Sequence, residues 1–183
     1  MKELSLNILD IAENSVKAKA PLTEIRIDET EKTLTIAVID NGCGMTGEIL
    51  EKVTDPFYTT RTTRKVGLGI PFFKMEAEMT GGTFSISSKS EKEHPADHGT
   101  KIEATFMKDH IDYIPLGDVV STVTTLIQGH PESDFLFRHV FPGGEAFLDT
   151  REIRKELGPD VPLSEFEVIT WINEYLKEQY TSN

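Results

Sequence analysis

The spacing of apolar side chains divides the first part of the chain into helices and strands. In residues 4–18 apolar positions recur every three or four residues, which predicts a helix, and Pro21 prevents its continuation. Later segments alternate apolar and polar residues or are rich in β-branched residues, which predicts strands. In chain order, the predicted elements are a helix over 4–18, strands over 23–28 and 33–40, a short helix over 47–53, a helix over 70–79, and strands over 83–88 and 100–106. This order predicts a mixed β-sheet with helices packed on one face, a two-layer α/β sandwich of the α+β type.

The pattern changes after the last of these strands. The predicted elements are a helix over 119–127, a hairpin of strands over 135–141 and 145–149, and two helices that begin at the capping-box sequences Asp149–Glu152 and Ser164–Glu167. We therefore divide the chain into a first domain, residues 1–109, and a small α+β C-terminal extension, residues 110–183. The extension contains no motif that we can assign to chemistry.

Charge limits the classes of partner. The sequence carries 19 basic and 31 acidic side chains, a net charge of −12. Since a phosphate backbone would repel most of such a surface, we expect no nucleic-acid partner. The extension is the more acidic part, with 5 basic and 13 acidic side chains. In the first domain basic residues gather at Arg61, Arg64 and Lys65, and this local cluster of cations suggests a small anionic ligand.

The sequence also predicts a compartment. No apolar run approaches the roughly 18 to 20 residues that cross a bilayer, and the N-terminus lacks the pattern of a signal peptide. The single Cys43 cannot form an internal disulfide, which fits a reducing environment. We therefore expect a cytoplasmic protein without a membrane partner.

Three polar residues share one face of the first predicted helix. Asp10, Asn14 and Lys17 are spaced by four and three positions. The Asn14 amide oxygen is a neutral hard ligand suited to Mg²⁺, and the Lys17 ammonium can contact a phosphate. The Asp10 carboxylate can orient or deprotonate a nucleophile. The alternative is an ordinary solvated helix face.

Two glycine-rich turns add parts of a nucleotide site. Asp40 follows an apolar strand, where its carboxylate can accept a hydrogen bond from an exocyclic amine such as that of adenine. Gly42 and Gly44 lack side chains, so a flat ring can lie against the backbone. The Gly67–Gly69 segment precedes a helix, whose N-terminal N–H groups can bind phosphate. Each segment taken alone is often only a turn.

The loop over residues 55–65 is rich in hydroxyl groups and cations. It could fold over phosphates through Arg61, Arg64 and Lys65, with Phe57 as its apolar anchor; the alternative is an ordinary exposed loop. The four segments occur in a fixed order, and each would supply a different part of one ligand. Together they predict a site for a magnesium–adenine nucleotide, ATP.

These segments resemble the motifs of the superfamily that groups gyrase, heat-shock chaperone, histidine-kinase and mismatch-repair ATPases, also called GHKL ATPases. The matching motifs are the N-box at 10–17, the first glycine box at 40–45, the F-box at 55–61, the second glycine box at 67–70, and the closing strand with Gly99 and Thr100. The resemblance covers about residues 4–108 and implies the Bergerat ATP-binding fold. It is closest to the catalytic domains of sensor histidine kinases and to anti-sigma-factor kinases.

Carried over by position, the resemblance implies a role for each matching residue. Asn14 would ligate magnesium, and Asp40 would accept a hydrogen bond from adenine. Gly42 and Gly44 would line the adenine pocket, with Thr100 near the base. The further implied nucleotide contacts are Phe57, Arg61, Arg64, Lys65, Gly67, Leu68 and Gly69.

The sequence also departs from the superfamily pattern. Asp10 stands where the N-box usually has a glutamate, and its side chain is one methylene shorter. We expect general-base chemistry to be slowed or rerouted, because such chemistry tolerates little misplacement. Lys17 matches the basic residue common at that position in histidine kinases. Few residues precede the N-box, so we expect no upstream hairpin with a phospho-accepting histidine, and the short lid disfavours ATP-driven clamp closure.

Two classes of function follow. The first is a regulatory kinase or slow ATPase in signal transduction, which acts in trans on a hydroxyl or a histidine of a partner protein. The second is a nucleotide-gated protein-binding module with little or no hydrolysis. The acidic extension is where we expect a partner to dock, although it could instead cover an exposed sheet edge or helix face. A homodimer is compatible with either class.

Other residues receive simpler interpretations. His94 and His98 are expected in a solvated loop rather than at a metal, because Pro95 prevents a helix from aligning them. Cys43 is expected to be a small buried residue. Trp171 and the strand over 135–141 are expected in the core of the extension.

Overall fold

The structure is a computed structural model that describes residues 3–57 and 68–181. Each predicted helix and strand is present within these ranges. The elements are α1 (Leu4–Lys17), β1 (Leu22–Glu29), β2 (Thr33–Asp40), α2 (Gly47–Lys52), α3 (Gly69–Met79), β3 (Thr83–Lys89), β4 (Gly99–Met107), α4 (Val119–Gly129), β5 (Asp134–Phe141), β6 (Gly144–Asp149), α5 (Thr150–Leu157) and α6 (Phe166–Thr181). Across the same ranges, no helix combines the length and the apolar character needed to span a bilayer.

The strands form one mixed six-stranded sheet in the order β3-β4-β2-β1-β5-β6. Neighbouring strands run antiparallel except β1 and β5, which run parallel. Ile25 is paired with Val38 of β2 on one side and with Phe137 of β5 on the other. The mixed sheet predicted from the sequence is therefore confirmed, and the second hairpin extends it.

One face of the sheet carries the core. Successive strand residues point to opposite faces, so Ile25, Ile27 and Phe137 are fully buried on the same side. Helices α1, α3, α4 and α6 pack against this side. The other side carries partly exposed ion pairs such as Arg26–Glu24 and Lys101–Glu103. This arrangement confirms the two-layer sandwich.

The C-terminal segment shares the core of the first part. Helix α4 packs on α1, and the Thr122 hydroxyl donates a buried hydrogen bond of 3.1 Å to the Ser5 carbonyl. Near the start of α1, the Leu4 N–H donates to the Pro115 carbonyl at 2.9 Å. The sheet and core thus continue past residue 109, and the division into two domains stays a prediction.

Candidate functional site

Helix α1 lies between the two glycine segments that the sequence singled out. Gly69, the first residue of α3, packs on Asp10: a Cβ on Gly69 would lie 3.1 Å from the Asp10 Cβ. Gly42 packs on Ala18, where a Cβ would lie 2.8 Å from the Ala18 Cβ. Asp10 and Ala18 are separated along the helix by about 12 Å. Gly42 and Gly69 therefore contact opposite ends of one stretch of α1.

The Asp40 carboxylate is held at the end of β2 by two hydrogen bonds. The Ser15 hydroxyl donates to Oδ2 at 2.7 Å, and the Gly42 N–H donates to Oδ1 at 2.9 Å. Each carboxylate oxygen has a second lone pair, so this half-buried group can accept a further hydrogen bond. Because Ser15 follows Asn14 in α1, the Ser15–Asp40 bond also joins the predicted base contact to the helix that carries the predicted metal ligand.

The glycine loop, residues 41–45, is fixed by contacts of its backbone. The Cys43 N–H donates to the Ala18 carbonyl, and the Cys43 carbonyl accepts from the Glu91 N–H, both at 2.9 Å. Gly44 has a φ of +63°, and a Cβ there would lie 1.9 Å from the Lys89 carbonyl oxygen. Close backbone packing therefore requires glycine at position 44, independently of any ligand.

Thr100 lies beside the Asp40 position. The two residues are partners in the antiparallel register of β2 and β4. The Thr100 and Ser88 hydroxyl oxygens are 2.8 Å apart, and Ser88 Oγ also accepts from the Met45 N–H at 2.8 Å. A hydroxyl network thus joins the predicted base contact Thr100 to the end of the glycine loop.

His98 and Cys43 depart from their sequence interpretations. His98 is half-buried, and its Nδ1 lies 2.6 Å from the Gly42 carbonyl oxygen, so it supports the glycine loop rather than lying in a solvated loop. Cys43 is exposed, and the prediction of a small buried residue is wrong. The glycine loop turns its side chain outward because the Cys43 backbone groups bind Ala18 and Glu91.

Lys17 lines a groove of about 470 Å³ on the outer side of the glycine loop. Gly42, Cys43 and His98 line the same groove. The Lys17 side chain is exposed at the Ala18 end of α1, away from the contact between Asp10 and Gly69. Its phosphate contact and its catalytic role stay predictions.

The Asp10 carboxyl lies at the N-terminal end of α3, beside Gly69. Partial burial raises its pKa, the Lys17 ammonium lowers it, and the Glu13 carboxylate raises it, with a net increase. A higher pKa increases the proton affinity of the carboxylate, as general-base chemistry requires. Asp10 thus lies where a phosphate bound at the start of α3 would meet a carboxylate.

The structure places the other predicted site residues as follows. Asn14 is half-buried on α1. Leu68 is half-buried at the N-cap position of α3, where its side chain offers no acceptor to the first N–H groups of the helix. Phe57 is 92% exposed, and its contact with a nucleotide stays a prediction. The remaining predicted contacts lie outside the described residues: Arg61, Arg64, Lys65 and Gly67.

Sequence reasoning missed Ser15, Ser88 and His98. Ser15 lies on the apolar face of the helix and is buried there, but its hydroxyl donates to Asp40. A polar residue on the buried face, directly after Asn14, was the available signal. Ser88 and His98 become neighbours of the glycine loop only through strand pairing, so no local pattern identifies them.

Comparison with known proteins places the chain among ATPases. Residues 2–110 match the family model described as histidine kinase-, DNA gyrase B-, and HSP90-like ATPase. The sensor protein KdpD of Clostridium acetobutylicum is 30% identical over 94 residues, which are 49% of this chain and 10% of KdpD. The signal transduction histidine-protein kinase AtoS of Escherichia coli is 31% identical over 88 residues, 48% of this chain and 14% of AtoS. The chain therefore matches only a small part of the length of these relatives.

A solved structure extends the similarity to the whole fold. The Aquifex aeolicus MutL ATPase domain complexed with ADP superposes with a TM-score of 0.55 at 16% identity, over 98% of this chain and 70% of the MutL chain. At this level of identity the likeness concerns the fold alone. It agrees with the α+β fold that the sequence predicts.

Proposed function

Because the chain belongs to the histidine kinase-, DNA gyrase B-, and HSP90-like ATPase family, we propose that it binds Mg²⁺-ATP and acts as a regulatory kinase or slow ATPase on a partner protein in trans. Family membership implies the ATP binding; the magnesium, the residue roles and the partner are our proposal. The observation that carries it is the position of α1, which packs on Gly69 at Asp10 and on Gly42 at Ala18. One ligand between these contacts would meet a carboxylate, an amide and a glycine loop in order.

Recognition of the base falls to Asp40. Ser15 and Gly42 hold its carboxylate in place before any ligand arrives, so little orientation entropy is lost on binding. A carboxylate accepts a hydrogen bond from the exocyclic amine of adenine. Guanine has a carbonyl oxygen in place of the amine at this ring position. The Asp40 carboxylate and this carbonyl are both acceptors, so no hydrogen bond can form between them. We therefore expect ATP to bind more tightly than GTP.

The residues present fit a metal that arrives with the nucleotide. In residues 3–57 and 68–181 no group of three His, Cys, Asp or Glu side chains could hold a metal ion by itself. Mg²⁺ is usually bound by one or two protein groups together with phosphates and water. The Asn14 amide oxygen would be such a protein ligand. Asn14→Ala should then weaken ATP binding mainly when Mg²⁺ is present, and equal weakening in chelator would remove Asn14 as a ligand.

Asp10 is our candidate for the group that orients or deprotonates the attacking nucleophile. When bound, Mg²⁺-ATP supplies the phosphoryl group that is transferred. Gly69 has no side chain, so a phosphate at the N-terminus of α3 can approach the Asp10 carboxylate closely. The carboxylate has a raised pKa but a shorter reach than a glutamate, which fits slow hydrolysis.

The shorter reach of Asp10 also favours a second candidate function, a nucleotide-gated binding module. In that case nucleotide binding would change the affinity for a partner, and little or no hydrolysis would be needed. The two candidates share the nucleotide site and differ in whether phosphate leaves the nucleotide.

Calorimetric titration with ATP, ADP and GTP, each with and without Mg²⁺, tests the shared site. Saturable, Mg²⁺-dependent binding of ATP in preference to GTP is expected, and absence of ATP binding would end both candidates. Labelled ATP then separates them, because transfer of label to a co-purified protein supports the kinase. Label that survives acid and is lost in alkali indicates a hydroxyl acceptor, whereas the opposite behaviour indicates a histidine.

A further inference from the structure

A second concave surface lies at the β6 edge of the sheet. Between β6, α5 and α6 is a cavity of about 570 Å³, which we call the aromatic groove. The aliphatic part of its lining comes from Leu148 of β6, Ile153 and Leu157 of α5, and Val168 of α6. The groove is built only from the C-terminal segment and shares no lining residue with the predicted nucleotide site.

Aromatic side chains in this groove are unusually exposed. Phe147 is 42%, Trp171 is 49% and Tyr175 is 36% exposed. The Trp171 and Tyr175 rings stack with centroids 4.9 Å apart and an interplanar angle of 12°. Tryptophan and tyrosine are enriched among the residues that dominate binding energy at protein interfaces. The prediction that Trp171 belongs to the core is therefore wrong, because α6 directs its neighbour Ile172 into the core instead.

Acidic side chains form the polar part of the same lining. Asp149, Glu152, Glu156 and Glu167 line the groove, and no lysine or arginine of the described residues does. The largely buried Asp149 carboxylate is held by the Arg151 guanidinium, whereas the exposed Glu152 forms only a weak ion pair with the exposed Lys155. Within the described part of the chain, Glu156 and Glu167 form no salt bridge.

We propose that the aromatic groove docks a basic amphipathic helix of a partner protein. The α6 residues that line the groove extend from Glu167 to Tyr175, about 12 Å, which matches two turns of a docked helix. Apolar residues at every third or fourth position of that helix would contact Trp171 and Tyr175. Its lysines or arginines would face Glu156 and Glu167, whereas an acidic segment would be repelled.

This proposal goes beyond the nucleotide site and does not depend on it. The groove residues belong to β6, α5 and α6, so binding is expected without any nucleotide. Loss of the proposed ATP function would leave the groove intact, and failure of the groove would leave ATP binding intact. The two can therefore be distinguished in the same protein sample.

The test uses two synthetic helical peptides of about 14 residues that lack tryptophan. Both carry leucines at the first, fourth, fifth, eighth, eleventh and twelfth positions; one carries lysine and the other glutamate at the remaining positions. Trp171 is the only tryptophan in the chain, so its fluorescence reports directly on the groove. The lysine peptide should give a saturable change that weakens as salt is raised, because salt screens exposed charges.

Charge reversal supplies the matched control. Glu156→Lys combined with Glu167→Lys should weaken the lysine peptide roughly tenfold or more. Glu78→Lys makes the same kind of change on the exposed part of α3 and should leave affinity unchanged. Circular dichroism on each variant confirms folding. The proposal is overturned if the glutamate peptide binds as tightly as the lysine peptide, or if neither peptide binds the wild-type chain. It is also overturned if Trp171 fluorescence depends on protein concentration alone, which would indicate a second copy in the groove.

Discussion

The glycine loop and the aromatic groove lie in one fold, but they differ in how strictly each position limits the residue that it can hold. Around the glycine loop, polar groups are paired and backbone atoms approach each other closely, as at Asp40 and Gly44. In the groove, rings such as Trp171 are left half exposed beside Glu156 and Glu167, which form no salt bridge within the described residues. A site of the first kind depends on a few positions with one acceptable residue. A site of the second kind depends on area and charge shared among several residues, so single substitutions there should matter less.

The largest effect is expected at Gly44. Gly44→Ala places a Cβ at a φ of +63° and 1.9 Å from the Lys89 carbonyl oxygen, so the loop or the end of β3 must move. Backbone strain of this kind costs roughly 1–3 kcal/mol, and we expect a total loss of about 3 kcal/mol or more in the free energy of unfolding. Urea unfolding followed by circular dichroism measures it.

Gly47→Ala is the matched control for that substitution. A Cβ on Gly47 would meet no atom within 4 Å, and alanine is a better helix former at this first position of α2. Equal midpoints for Gly44→Ala and Gly47→Ala would contradict the close packing of the glycine loop.

The next effect is expected on affinity at Asp40. Asp40→Asn replaces one acceptor oxygen by an NH₂ group, which is only a donor and therefore faces either the Ser15 hydroxyl or the Gly42 N–H without accepting from it. A hydrogen bond to a charged group contributes about 1.5–3 kcal/mol, so ATP affinity should fall about tenfold to a hundredfold. Ser15→Ala removes only one support of the carboxylate and should weaken ATP severalfold. Calorimetry on both variants decides, and an Asp40→Asn variant with wild-type affinity would show that the base pocket is misassigned.

A smaller effect is expected at a buried polar pair between α1 and α3. The Asn7 amide donates to Glu76 Oε2 at 2.6 Å, while Asn7 Oδ1 is buried without a hydrogen-bond partner in the described structure. Asn7→Leu should cost about 1–3 kcal/mol, because it removes a donor from a buried carboxylate. Adding Glu76→Leu then tests the coupling, because a pair that acts as a unit should lose less together than the sum of the two single losses. If the double variant lost the sum of both single losses, the two residues would not be coupled.

The contrast between the two regions also explains what the sequence could predict. Asp40, Gly44 and Asn14 stand in short segments where spacing and residue type are restrictive, so those segments alone predict a site. The helices and strands were predictable for a similar reason, since their apolar periods are local. The pairing of β1 with β5 was not, because parallel strands are joined by a long crossover with no turn signal between them.

The aromatic groove could not be predicted, because its residues follow the same spacing as residues of a buried helix face. Val168 and Trp171 lie three positions apart on α6, a spacing that equally predicts a core face. Only the packing of α5 and α6 at the β6 edge leaves Trp171 and Tyr175 uncovered. Likewise the role of Ser15 depends on a contact with Asp40 across 25 positions of sequence, which periodicity does not reveal.

The smallest effect is expected for the pH dependence of stability at His139, on the groove side of the fold. Burial lowers the pKa of His139 below 6.5, and the nearby Lys108 lowers it further. Glu29 opposes this decrease, because its Oε2 lies 3.2 Å from the His139 Nε2. The Tyr180 hydroxyl contacts the other ring nitrogen, Nδ1. Below pH 6.5 the unfolded chain therefore binds the proton more readily, so this contribution to stability is complete above that pH and is lost as the pH falls. His139→Gln keeps hydrogen-bonding groups but cannot titrate, and its free energy of unfolding should change less between pH 7 and pH 5.5. A His139→Gln variant with the full wild-type slope would assign the pH dependence to other groups and leave His139 with a packing role alone.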